Sequence, residues 1–144
     1  MDTTPVRAPR LRQVVLDTTD ARALAEFYRL LLDLHYRPGD APPPPGQPDV
    51  NGADWLVLWD DTNTPRLAFQ QVADLPRVTW PHGRHPQMLH LDLTVPSPED
   101  LLAQHTRALE LGATLLHDRF EDPEEPLRVY ADPAGHPFCV FVAA

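Results

Sequence analysis

Residues 88–100 read Met-Leu-His-Leu-Asp-Leu-Thr-Val-Pro-Ser-Pro-Glu-Asp and carry the clearest structural signal in the chain. The alternation of apolar residues up to Val95 predicts a strand that ends at the following proline. Ser97 can cap a helix, Pro98 has the fixed φ that suits a first helical position, and the two acids favour the positive end of the helix dipole. The stretch therefore predicts a strand leading directly into a helix, which ends near Gly112.

The same order of elements occurs earlier in the chain. Residues 11–17 predict a strand, and Thr19 or Asp20 can cap a helix over residues 20–33 with one apolar stripe. Three strands follow each helix, at residues 34–37, 53–59 and 66–72 in the first half and at 113–117, 127–131 and 137–142 in the second. The chain therefore consists of two similar halves.

A shift of the sequence on itself supports an internal duplication. The shift that places Gln13 on His90 also superimposes four pairs of leucines. We predict an α+β fold in which two tandem βαβββ modules form a curved mixed sheet around a cleft, with the helices on the outer face. The whole chain, 1–144, is one domain, with a first half at about 11–72, a linker at 73–86 and a second half at about 87–142.

Composition excludes several classes of protein. The net charge of -9 argues against nucleic-acid binding, which needs a basic face. No run approaches the ~20 apolar residues of a membrane span, and residues 1–10 lack the apolar core of a signal peptide. Cys139 is the single cysteine, so an intramolecular disulfide is impossible. We therefore predict a cytoplasmic protein whose partner is a small molecule.

Alternate residues of a strand lie on opposite faces of its sheet, which separates two kinds of surface. One face is apolar in four of the predicted strands, namely Val14 and Leu16, then Leu56 and Leu58, then Leu91, Leu93 and Val95, and finally Phe138, Val140 and Val142. The opposite faces mix aromatic and polar residues, namely Gln13, Val15 and Asp17, then Trp55, Val57 and Trp59, then His90, Asp92 and Thr94, and finally Cys139 and Phe141. An apolar lining with a few polar groups is typical of a ligand cleft.

Several motifs together carry a resemblance to a known superfamily. Gln13-Val-Val-Leu-Asp-Thr-Thr-Asp20, Phe27-Tyr28 and Leu31-Leu32-Asp33-Leu34 are similar to the opening of a glyoxalase-type half. His90-Leu-Asp-Leu, Leu111-Gly112-Ala113, Asp132-Pro-Ala-Gly135 and Phe138-Cys139 resemble the landmarks of the second half. Over about residues 11–142 the chain thus resembles the vicinal oxygen chelate superfamily of glyoxalase and bleomycin-resistance proteins.

The resemblance implies a set of candidate metal ligands. In metal-dependent members, four ligands come from the first and last strands of each half. Gln13 and His90 match the first-strand positions, Cys139 stands where a glutamate is usual, and the fourth position falls near Gln70. We therefore expect either no cofactor or a divalent Zn, Fe, Ni or Mn ion held by Gln13, His90 and Cys139.

The missing carboxylates change the expected chemistry. Without the glutamates the site lacks the proton shuttle that glyoxalase I needs, so that activity is not expected. Asp92 and His90 remain candidates for acid/base catalysis. Each candidate also has a structural interpretation: His90 as a residue that lines the pocket, Cys139 as a small buried hydrophobe, and Asp92 as a solvated carboxylate.

Other side chains are candidates for ligand contact. Trp55 and Trp59 could stack on a planar ligand or fill the core. Gln70 could line the same cleft. Arg128 and Tyr130, at alternate strand positions, could meet an anionic group or form a surface pair.

Three functions remain open. The leading hypothesis is a protein that binds or sequesters an organic ligand. The alternative is a variant metal-dependent lyase, isomerase or dioxygenase, and the third is a regulatory or partner-binding domain. Fold resemblance cannot choose among them, because function resides in the site. A homodimer is also predicted, since each half leaves sheet edges exposed.

Overall fold

The protein is described by a computed structural model that covers residues 5–143. The first half contains β1 (Val14–Thr18), α1 (Ala21–Leu32), β2 (His35–Tyr36), β3 (Trp55–Trp59) and β4 (Pro65–Gln71). The second half contains β5 (Leu91–Val95), α2 (Pro98–Leu111), β6 (Thr114–Arg119), β7 (Leu127–Ala131) and β8 (Pro137–Val142). Each half therefore has the predicted order of one strand, one helix and three strands.

Each half forms its own four-stranded sheet, with the strand order β1-β4-β3-β2 in the first and β5-β8-β7-β6 in the second. In both sheets the first and last strands of the half pair in parallel, and the other pairs are antiparallel. The predicted α+β fold of tandem βαβββ modules is confirmed. The expectation of one curved sheet is corrected to two sheets, because β1 and β5 are edge strands that do not pair with each other within the described residues.

The helices begin and end where the sequence predicts. The Asp20 carboxylate accepts a hydrogen bond from the amide of Ala23, and the Ser97 hydroxyl accepts one from the amide of Asp100. Gly112 has a φ of 117°, a left-handed conformation that ends α2 at little cost for a residue without a Cβ. Within residues 5–143 neither helix has the length and apolar composition to cross a bilayer.

One hydrophobic core joins the two halves, and α1 lies at its centre. The Tyr28 ring lies 6.0 Å from the ring of Phe69 in β4 and 6.3 Å from that of Phe138 in β8. The Tyr28 hydroxyl donates a 2.6 Å hydrogen bond to the carboxylate of Asp132, in the turn between β7 and β8. The apolar stripe of α1 therefore packs on both sheets.

The proline-rich segment at residues 38–48 is attached to the first half by buried polar contacts. Asp40 is only 2% exposed, and its carboxylate accepts a hydrogen bond from the amide of Val57 in β3. The Arg22 guanidinium donates to the Asp40 carbonyl oxygen and to both carboxylate oxygens of Asp49. These contacts fix both ends of the segment against α1 and β3.

The edge strand β5 is covered less completely than the inner strand β3. Leu56 and Leu58 of β3 are fully buried beneath α1. The apolar residues of β5 on the corresponding face, Leu91, Leu93 and Val95, are only half-buried. The helix-facing side of β5 therefore borders a gap in the packing.

Candidate functional site

The candidate site lies on the faces of the sheets that point away from the helices, which we call the open faces. Their residues alternate along each strand with the residues of the shared core. The open face of the first sheet carries Val15, Asp17, Trp55, Val57, Trp59, Ala68 and Gln70. The open face of the second carries Asp92, Thr94, Val129, Cys139 and Phe141.

Three predicted site residues come together on the open face of the second sheet. His90 immediately precedes β5, and its Nε2 lies 3.1 Å from Oδ1 of Asp92. Asp92 pairs across the parallel ladder with Cys139 of β8. The nitrogen, oxygen and sulfur donor atoms of the three side chains lie within 4.8 Å of one another. The chain thus has a compact group of three candidate ligands.

Cys139 is not an activated nucleophile in this setting. Burial raises the pKa of its thiol to about 11, and the Asp92 and Glu125 carboxylates act in the same direction. Reactive cysteines have a lowered pKa and a cationic neighbour, because the thiolate is the nucleophile. At neutral pH Cys139 therefore keeps its proton beside Asp92.

The first half does not repeat this group. Val15 pairs with Ala68 at the register position where Asp92 pairs with Cys139 in the second half. Ala68 is fully buried and offers no side-chain donor. The fourth ligand position, which the resemblance placed near Gln70, therefore falls two residues earlier on an alanine.

Gln13 and Gln70 lie in different surroundings. Gln13 immediately precedes β1, as His90 precedes β5, and its buried Oε1 has no hydrogen-bond partner within the described residues. Gln70 is exposed on β4 and lies between Asp17 of β1 and Trp55 of β3. Only Gln13 thus keeps the position that the resemblance assigned to a first-half ligand.

Trp55 and Trp59 mark the two ends of β3 on the first open face. Both are half-buried, and the Trp59 ring lies 6.4 Å from the ring of His35. In residues 5–143 no hydrogen bond or ring contact joins either tryptophan to His90 or Cys139. The aromatic surface and the His90 group are therefore separate features of the two open faces.

Arg128 and Tyr130 lie on the helix-covered face and not on the open faces. Tyr130 is fully buried, and its hydroxyl forms a 2.7 Å hydrogen bond with Nδ1 of His105 in α2. Nε of Arg128 lies 3.2 Å from Oδ1 of Asp118, and the guanidinium carbon lies 4.7 Å from the centroid of the Phe120 ring. The alternation in the sequence indicates that Arg128 and Tyr130 share one face of the strand. It does not indicate which face of the sheet this is, because that depends on how β7 pairs with β8.

Two features of the site were missed by sequence reasoning. Asp92 was predicted as an acid or base and not as a ligand, although its place two residues after His90 puts both on one face. Glu125 acts on the Cys139 thiol from the loop before β7. A loop residue carries no periodic signal, so the sequence could not place Glu125 there.

Comparison with known proteins identifies the family. A family model described as a glyoxalase-like domain matches residues 13–141. The chain belongs to the glyoxalase-like family. A search of curated proteins found no match. The resemblance to the vicinal oxygen chelate superfamily, inferred from the motifs, is thereby confirmed.

Solved structures share the fold of this glyoxalase-like chain at low sequence identity. A glyoxalase/dioxygenase from Nostoc punctiforme matches with a TM-score of 0.63 and 18% identity, over 99% of each chain. The fosfomycin resistance protein FosX from Listeria monocytogenes, in complex with Mn(II) and sulfate, matches with a TM-score of 0.64 and 12% identity, over 96% of this chain and 95% of its own. A glyoxalase/bleomycin resistance protein/dioxygenase family enzyme from Burkholderia phytofirmans matches with a TM-score of 0.63 and 15% identity, over 92% and 98%.

The ligand types in this glyoxalase-like chain determine which metal would suit it. Imidazole, carboxylate and thiolate donors suit zinc, whose catalytic sites have three protein ligands and one open position. Mn(II), the ion in the FosX complex, prefers carboxylates and water. His90, Asp92 and Cys139 therefore fit zinc better than manganese, provided that the thiol loses its proton on binding.

Proposed function

We propose that this glyoxalase-like protein binds and sequesters a small organic molecule on its open faces, without a four-ligand metal centre. The observation that carries the proposal is the register of β1 and β4, which has Ala68 in the position corresponding to Cys139. A four-ligand centre formed by both halves would lack one donor there. An aromatic and weakly polar surface is better suited to binding than to metal-dependent catalysis.

The charges around the His90 group favour a neutral or cationic ligand. Asp92 and Glu125 both act on Cys139, and the whole chain carries a net charge of -9. The protonated Cys139 thiol adds polarity without charge, and Nε2 of His90 lies 3.1 Å from Oδ1 of Asp92. We therefore expect a planar ligand with a positive group, which stacks on Trp55 or Trp59 in the negative field of the chain.

Two further properties belong to the same proposal. We infer a cytoplasmic location from the single protonated cysteine, since thiols persist in reducing compartments. We also infer a two-fold homodimer, because all six residues of the edge strand β6 are exposed.

Tryptophan fluorescence with metal-free bleomycin as the probe tests the proposal. The compound has a planar bithiazole and a positive charge, so we expect saturable quenching and no effect from anionic fosfomycin. Trp55→Leu and Trp59→Leu remove the aromatic ring and should each weaken affinity about two- to tenfold, the usual value of an aromatic contact. Trp80→Leu is the matched control, because that ring lies against His117 at the outer strand β6. Absence of saturable quenching, or an equal effect in the control, would contradict the drug-sequestering form of the proposal.

The compact His90, Asp92 and Cys139 group favours a second candidate, a zinc-dependent enzyme. In such an enzyme these three residues would hold the metal, and the metal would supply Lewis-acid polarisation of a substrate oxygen. Because zinc has no redox chemistry, the reaction with zinc would belong to the lyase or isomerase types of the superfamily, and the dioxygenase type would need iron at the same residues. This candidate requires a stoichiometric metal, which the ligand-binding proposal does not.

A further inference from the structure

A cavity lies at the junction of the two halves, on the side of the sheets opposite to the open faces. Its volume is about 390 Å³. Aliphatic side chains from both halves form most of its wall, namely Val14, Leu32, Leu34, Leu67, Leu91 and Leu93. Leu91 and Leu93 alternate with His90 and Asp92 along the chain, so most of the wall lies on the face of β5 opposite to His90. Asp92 of the candidate site also borders the cavity.

The cavity coincides with the incomplete packing of β5. A neighbouring cavity of about 230 Å³ shares Leu32 and Leu93 and continues toward Ala108 of α2. Protein interiors normally have few voids larger than a water molecule. Cavities of 300–1,000 Å³ with a mainly apolar wall are the usual size of small-molecule sites. The volume and the half-buried leucines therefore point to an aliphatic ligand.

Two charged residues border the cavity, and only one of them is free to meet a ligand. The Asp92 carboxylate is already in contact with His90 and close to Cys139. Arg66 is 62% exposed, and its nearest carboxylate, that of Asp60, lies 3.8 Å away. That long, exposed ion pair contributes little, so the Arg66 guanidinium can reorient toward an anion.

We propose that this cavity is a second binding site, for an aliphatic carboxylic acid of medium chain length. The hydrocarbon chain lies among the leucines of both halves, and the carboxylate pairs with Arg66 at the rim. The site shares Asp92 with the candidate site and none of its other lining residues. A ligand there contacts α1, β1, β4 and β5 together, so it also stabilises the junction of the halves.

Calorimetric titration with decanoate and with decanol tests the proposal. We expect saturable binding of one decanoate per chain. Leu93→Trp fills the space shared by both cavities and should weaken binding of both compounds more than about tenfold. Arg66→Gln should weaken decanoate binding about three- to tenfold and leave decanol binding unchanged, because only the carboxylate needs the guanidinium.

The controls separate this site from the candidate site. His90→Ala should bind decanoate as the unaltered protein does, and failure of the bleomycin test would not affect this result. Arg66→Gln alters an exposed side chain, so it remains informative if Leu93→Trp does not fold by circular dichroism. The proposal is overturned by absence of saturable decanoate binding, by equal affinity in Leu93→Trp, or by loss of binding in His90→Ala. A different result would identify a second copy of the chain as the occupant of the cavity. In that case the protein would not bind decanoate, it would be a dimer in solution, and Leu93→Asp would dissociate the dimer.

Discussion

At the scale of single residues, the surroundings of Cys139 hold its thiol in the protonated form. Burial and the carboxylates of Asp92 and Glu125 together raise the pKa of this thiol. A metal ligand or a nucleophile needs the thiolate instead. Without a bound metal ion Cys139 is therefore a neutral polar contact, and a metal that binds there has to displace its proton.

The rate of Cys139 alkylation by iodoacetamide should follow this pKa. Because only the thiolate reacts, the rate should rise about tenfold per pH unit and show no plateau up to about pH 10, below the pKa of about 11. Asp92→Asn removes a negative charge and should move the curve to lower pH. Asp17→Asn, on the other open face, is the matched control and should leave the curve unchanged. A plateau near pH 8 in the unaltered protein would show that the thiol is not held in its protonated form.

The sequence predicts single-residue positions where a motif fixes them. His90, Asp92 and Cys139 come together as the strand alternation and the Asp-Pro-Ala-Gly turn suggest. The fourth position was placed near Gln70 because sequence fixes strand boundaries only to within a few residues, whereas the register places it on Ala68. Whether these residues act as ligands or contacts remains a prediction.

At the scale of elements, the contact between α1 and the β7–β8 turn holds the halves together. The Tyr28 hydroxyl donates to Oδ2 of Asp132, while the other carboxylate oxygen accepts from the amides of Ala134 and His136. Both members of this pair are at least 99% buried. Burial raises the pKa of Asp132. Loss of the Tyr28 donor would leave a buried oxygen without a partner, which is more costly than loss of an exposed hydrogen bond.

Tyr28→Phe should lower the free energy of unfolding by about 1–3 kcal/mol, measured by urea denaturation at pH 7. Tyr36→Phe is the matched control, because the Tyr36 hydroxyl donates to Glu26 at a half-buried position within the first half. The control should lose about 1 kcal/mol or less. An equal loss in the two variants would contradict a special role for the contact between the halves.

The elements differ in how well the sequence predicts them. Both helix starts are correct because Asp20 and Ser97 are local signals that need no tertiary information. The gap beside β5 was not predicted, since its apolar residues have the same alternation as those of a fully buried strand. Burial depends on how closely α1 and α2 approach, and that is a property of packing.

At the scale of the whole molecule, the repeat predicts the halves but not their arrangement. The contacts that join the halves link residues far apart in sequence. Nε2 of His136 is hydrogen-bonded to the carbonyl oxygen of Asp17, and the Arg107 guanidinium donates to the carbonyl oxygens of Leu30 and Leu31. Contacts of this kind leave no periodic pattern, so two sheets with a shared core could not be distinguished from one continuous sheet.

The central claim, binding of an organic ligand on the open faces without a bound metal ion, is tested most directly by metal content. The measurement is elemental analysis of protein purified without chelator or affinity metal, then incubated with equimolar zinc and desalted. We predict far less than one metal ion per chain, and the same low value in His90→Ala, with both proteins folded by circular dichroism. Close to one zinc per chain, absent from a folded His90→Ala variant, would contradict the claim and establish the His90, Asp92 and Cys139 group as a metal centre.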